Sequence, residues 1–180
     1  MPNSDGPPRA ALIAALVLGV AAVGVVLAIA ATRQPSRQPV ALPAVPAPQA
    51  DDPSCRALLA ALPRRLGDYQ RAPAAQPVPP GTAAWRRDGE LVVLRCGLEP
   101  PADFVVGSPI QVVDRVQWFR VTDSRSGHDA GRSTWYTVDR RVYVALTLPP
   151  GSGPTPIQQL SDLIDGTIPA APLRPGPPGR

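Results

Sequence analysis

Lysine is absent, and the 180 residues hold one histidine, two cysteines, one methionine and few aromatics: three Trp, three Tyr and two Phe. One His and two Cys cannot complete a zinc shell, and no Asp-rich cation loop is present, so neither a metal nor any other cofactor is expected. No phosphate-binding glycine loop occurs, which leaves nucleotide chemistry without support. Ser124, His128 and Asp129 share one loop, Asp123 to Asp129, but a Gly- and Ser-rich hairpin loop lacks the rigidity of a triad and reads as a solvated turn. With every basic residue an Arg and 26 prolines present, the composition reflects genome bias rather than selection for phosphate-binding forks. A net charge of +4 and a pI of 9.8 invite a nucleic-acid reading. That reading fails by region. Between Asp51 and Ile168 there are 13 Arg and 13 acidic residues, and the surplus lies in Arg9, Arg33, Arg37, Arg174 and Arg180 against Asp5. No nucleic-acid partner is expected.

The sequence does contain one long apolar run. From Ala10 to Ala31 there is no charged or polar side chain, and about 20 such residues suffice to cross a bilayer core. Ala28-Ile29-Ala30 has the small-x-small form of a signal-peptidase site, which makes secretion after cleavage near Ala30 the alternative. The run exceeds an ordinary signal core of about 7–15 residues, so we read residues 10–31 as an uncleaved transmembrane signal anchor that contacts the lipid bilayer, behind a cytoplasmic tail of residues 1–9. No Cys follows the run directly, which excludes a lipoprotein signal. Arg9 on one flank against Arg33 and Arg37 on the other points weakly to the opposite orientation. The cysteines argue for export. Cys55 and Cys96 both lie beyond the run, the pattern of one disulfide formed outside the cytoplasm; closing a loop of that length stabilises by about 4 kcal/mol.

Residues 32–51, with five prolines from Gln34 to Ala50, read as a polyproline-type spacer lifting the domain off the membrane, and residues 170–180 as a disordered Pro-rich tail. Between them, residues 52–169 form the expected extracytoplasmic domain. Asp52 and Pro53 start a helix that Pro63 closes, with Cys55, Leu58, Leu59 and Leu62 on one face. Asp88-Gly89 marks a hairpin between strands Thr82 to Arg87 and Glu90 to Cys96. Further strands are expected over Val116 to Thr122, Ser133 to Asp139 and Val142 to Leu148. Thr155 to Gln158 reads as a capping box opening a last helix striped by Ile157, Leu160, Leu163 and Ile164, with Gly166 at its C-terminus. The class is α+β: a mostly antiparallel sheet with two flanking helices and one disulfide.

Strand parity suggests one surface of interest. If Phe119, Val121, Tyr136 and Val138 face the helices, then Trp118, Trp135 and Tyr143 gather on the opposite face with Arg120 and Arg95. Aromatics beside Arg suit a glycan or an envelope protein partner. Cover by the Pro-rich connector or a long loop is the plainer explanation of such a face.

Taken in order, Cys55 with Leu58, Leu62 and Pro63, then Leu94-Arg95-Cys96-Gly97, Trp135, Val138-Asp139-Arg140, Val142-Tyr143-Val144-Ala145-Leu146 and Gln159-Leu160-Ser161 resemble the DUF3515 family of actinobacterial envelope proteins. The resemblance implies a membrane-anchored or exported protein of uncharacterised function with a Cys pair at these positions. It carries no active site. Frequent gene neighbourhood with a D-alanine–D-alanine ligase implies a link to the cell wall. The expectation from sequence is a non-catalytic binding or structural module of the envelope, recognising a cell-wall component or an envelope protein; the alternative is an envelope enzyme, or enzyme accessory, near peptidoglycan synthesis.

Overall fold

The structure, a computed structural model, describes residues 9–32, 38–122 and 131–178. Two units divide the chain, residues 1–36 and 37–180. In the first, α1 (Arg9–Thr32) is a single helix with its apolar side chains exposed all round, from Leu12 to Leu27. Its Arg9–Ile29 segment is long and apolar enough to cross a membrane. A helix apolar on every side has no polar face to give to water, which is why it reads as a membrane anchor or signal sequence.

In the second unit, Asp52 caps α2 (Pro53–Ala61): its Oδ1 accepts the Ser54 N–H at 2.8 Å. Eight strands follow: β1 (Arg65–Leu66), β2 (Tyr69–Ala72), β3 (Thr82–Arg87), β4 (Glu90–Leu98), β5 (Ile110–Val113), β6 (Val116–Thr122), β7 (Ser133–Thr137) and β8 (Tyr143–Leu148); α3 (Thr155–Thr167) comes last. The sheet order is β1-β2-β3-β4-β8-β7-β6-β5, antiparallel at every pairing. Two four-stranded meanders therefore meet at β4 and β8 in the sheet centre. The expected hairpin turn is present, with Asp88 and Gly89 both at positive φ, 49° and 87°.

Both α2 and α3 lie on one face. Cys55 and Leu58 of α2 and Ile157, Leu160 and Ile164 of α3 pack with Trp85, Leu94, Cys96, Trp118, Val144 and Leu146 in the main core. Polar atoms fasten the layers: Trp118 Nε1 donates to Ser161 Oγ at 3.0 Å, Trp85 Nε1 to the Pro63 carbonyl at 3.0 Å, and Gly67 N to Gln159 Oε1 at 2.7 Å. The disulfide joins Cys55 to Cys96, Cα atoms 5.6 Å apart, and both residues are wholly buried. It pins α2 to the central strand.

Several expectations need correction. The capping box does not form: α3 takes Pro154 as its N-cap with no side-chain hydrogen bond, because prolines at 154 and 156 set the first turn. Gly166 lies within the helix, whose last turn is closed by Ile168 N donating to the Ile164 carbonyl at 2.8 Å. β7 stops at Thr137, two residues short, where the chain turns toward a buried ion cluster. β1, β2 and β5 are additional strands toward the two ends of the sheet, too short for alternation to reveal.

The greatest difference concerns the Pro-rich segments. From Gln38 to Ala50 the chain is a strap across the face opposite the helices, where Val40, Ala72 and Ala84 form one small cluster and Ala47 joins another around Phe104, Phe119 and Tyr143. Val40 exchanges hydrogen bonds with the connector, donating to Pro73 O and accepting from Ala75 N, each at 2.8 Å. Gln49 N donates to Gly97 O at 3.0 Å. Gly97 has φ +90°, and a Cβ there would collide with the backbone of Gln49 and Ala50. The C-terminal segment is likewise fastened as far as Gly176: Ala171 N donates to Asp139 O at 2.8 Å, and Gly176 pairs with Phe104 and Val106. Prolines supply the preset extended backbone for such cover, and the few remaining N–H groups make its hydrogen bonds.

Candidate functional site

Cross-strand register decides where the residues singled out from the sequence fall. Arg95, Ala145, Tyr136 and Phe119 are directly paired across four strands, so they share the strap face. The neighbouring row, Leu94, Leu146, Trp135 and Arg120, faces the helices. Trp118, Trp135 and Arg120 therefore lie on the helix side, while Arg95 and Tyr143 lie under the strap. The five residues do not gather on one face. Trp118 is 0 % exposed and bonded to Ser161, which removes it from any ligand surface. Trp135 is half-buried, donates to Ser133 Oγ and lies under the Arg120 guanidinium at 5.4 Å. Arg95 reaches the Pro43 carbonyl at 3.4 Å and acts as a clamp on the strap. Burial lowers the Arg95 pKa and raises that of Tyr136, each side chain countering the shift of the other. Ser124, His128 and Asp129 lie outside the described residues.

On the strap face, four separate pieces of chain converge on a cleft of about 390 Å³. Its walls are Pro48 and Gln49 of the strap, Leu98 to Pro100 at the end of β4, Arg141 of the β7–β8 turn with Tyr143 at the start of β8, and Arg174 of the C-terminal segment. This volume falls within the usual range for small-ligand sites, and apolar walls with a few polar groups are their usual lining. Arg174 Nη2 donates to the Arg141 carbonyl at 3.2 Å, which holds the two segments together. Arg141 also helps hold the Asp52 pKa below its ordinary value, behind the larger effect of the Ser54 hydrogen bonds.

A buried ion cluster lies immediately before Arg141 in the chain. Arg140, whose side chain is 0 % exposed, pairs with Asp139 at 2.8 Å and Asp165 at 3.2 Å and donates to the Arg115 carbonyl at 3.1 Å. Arg115 adds a 3.5 Å ion pair to Asp165. Asp139 Oδ1 and Arg140 Nε have no hydrogen-bond partner among the described residues, and burial pushes the Asp139 carboxyl up despite the attraction of Arg140. Because Asp139 and Arg140 also pair through the backbone with Ala171 and Ala170, the cluster fixes both segments that carry Arg141 and Arg174. Sequence reading missed this site because Pro48 and Gln49 were assigned to the spacer and Arg174 to the tail. The available signal was Val138-Asp139-Arg140, a charged pair between strands with no loop-like composition around it.

Among the described residues no group of three His, Cys, Asp or Glu side chains is placed to hold a metal. The molecule is thus a disulfide-stapled α+β domain, closed by helices on one face and by irregular chain on the other, in a chain that also carries a membrane-length apolar helix. The chain belongs to the DUF3515 family, described as proteins of unknown function, whose model matches residues 16–173. No curated protein and no solved structure matches it.

Proposed function

We propose that the protein is a non-catalytic binding module of the cell envelope, held in the membrane by α1 with its domain on the extracytoplasmic side and its strap face presented to a wall component or envelope protein. The observation that carries this reading is the wholly buried Cys55–Cys96 disulfide in a chain with a membrane-length helix. A structural disulfide of this kind belongs to an oxidising compartment. The strap-face cleft supports the binding half of the reading. Its polar lining is Gln49, Glu99, Arg141, Tyr143 and Arg174, with no nucleophile beside a base. For that reason binding is preferred to an enzyme of peptidoglycan synthesis.

The test uses the full chain in its own cells with the wall removed. External protease should digest the domain, and the unfolded protein should take up a maleimide label only after reduction. The intact mass should include residues 1–31. Protection from protease, or labelling without reductant, overturns the extracytoplasmic reading; a mass lacking the leader replaces the anchor with secretion.

A further inference from the structure

We infer that the cleft between the strap and the β7–β8 turn binds an anionic group, a carboxylate or phosphate, carried on a small apolar body. The inference rests on the binding reading above and names its ligand chemistry. Arg141 and Arg174 are both exposed at the cleft, and among the described residues neither guanidinium lies within salt-bridge distance of a carboxylate. Most arginines of this domain are otherwise engaged: Arg71 and Arg120 lie over Trp85 and Trp135, while Arg87, Arg115 and Arg140 are ion-paired and Arg95 clamps the strap. Two exposed guanidiniums in one concavity, Arg174 keeping donors beyond the one given to the Arg141 carbonyl, suit carboxylate or phosphate oxygens.

Tyr143 adds a phenol to the same wall; its ring packs in the cluster with Leu98 and Phe104, and its hydroxyl makes no hydrogen bond among the described residues. Leu98, Pro48 and Pro100 supply apolar surface for the body of the ligand. Glu99 is the single acid in the lining, so the arginines outnumber it. The arrangement is held before any ligand arrives. The ion cluster around Arg140 and the Ala171–Asp139 hydrogen bond tie down the segments bearing both arginines, which lowers the ordering cost of binding.

The experiment is equilibrium dialysis of the full chain in detergent micelles against benzoate, phenyl phosphate and neutral benzamide, with wild type, R141A, R174A and the double variant. Saturable binding of benzoate or of phenyl phosphate but not of benzamide is expected, weakened about tenfold or more by each single substitution. A preference for benzoate assigns a carboxylate source and a preference for phenyl phosphate a phosphate source. Both substitutions remove exposed side chains, and retention of the thermal transition shows that the variants fold. Equal binding of benzamide, unchanged affinity in the double variant, or no saturable binding of either anion overturns the inference. Protease digestion of the domain on the same cells separates that failure from a failure of the envelope reading.

Discussion

The two faces of the sheet are covered by different means. On one, α2 and α3 press regular apolar stripes onto Trp85, Trp118 and Leu146, and the disulfide joins the layers. On the other, the strap, the loop bearing Phe104 and the C-terminal segment cover smaller clusters with irregular, proline-rich chain. Periodic helices press continuous stripes onto a face, although a groove remains beside α3. Irregular cover meets the sheet through isolated side chains and leaves gaps between its pieces, and the cleft is such a gap. The larger core and the disulfide belong to the first face, the proposed binding cleft to the second.

Removing the disulfide should have the largest effect, because it fastens the face with the larger core. Replacing Cys55 and Cys96 together by Ser should cost about 4 kcal/mol from the lost loop closure alone, measured by urea unfolding of the oxidised wild type against the variant. An unchanged midpoint would place the source of stability elsewhere.

Arg140→Met should follow, since it leaves buried Asp139 without its partner while the partly exposed Asp165 keeps Arg115; about 3 kcal/mol, the low end of the usual cost of breaking a buried pair, is expected. If binding depends on the cluster, anion affinity should also fall in folded protein. A loss of stability with full affinity would show that the cluster serves the fold alone.

Gly97→Ala isolates the strap. Its φ of +90° and the collision with Gln49 and Ala50 should destabilise by about 1–3 kcal/mol and open residues 38–50 to limited proteolysis while the helix face stays protected. Cleavage spread evenly over both faces would erase the distinction between them.

Asp52→Ala should have the smallest effect, and one that depends on pH. The Ser54 hydrogen bonds hold the Asp52 pKa below 3.8, so its contribution is full above that value and is lost as pH falls through the lowered one. The gap between wild type and variant should close on acidification. Asp139 runs the other way: with a raised pKa it favours folding most below 3.8 and loses that contribution as pH rises through the raised value.

The start of α2, the main strands and the Cys pair were readable because each has a local signal: an N-cap before Pro53, alternation along Val142 to Leu148, and two cysteines beyond an apolar run. Parity within β6 and β7 was readable too, but not which side of each strand faces the helices. That depends on register, Trp135 opposite Leu146 and Phe119 opposite Tyr136, which no single strand encodes. Taking the Phe119 row as the helix side put Trp118 on the wrong face. The strap was unreadable for a different reason. Proline-rich chain looks the same in solvent and against a sheet, and the steric marker of docking, Gly97, lies in another segment.

The most direct test of the division of labour is photocrosslinking in intact cells, with a photoreactive residue placed at exposed Glu99 in the cleft or at exposed Asp162 in the groove beside α3. Binding through the strap face predicts discrete adducts from position 99 that disappear in the R141A/R174A background, and none from position 162. Equal adducts from both positions, or adducts from position 99 that persist without the two arginines, would contradict it.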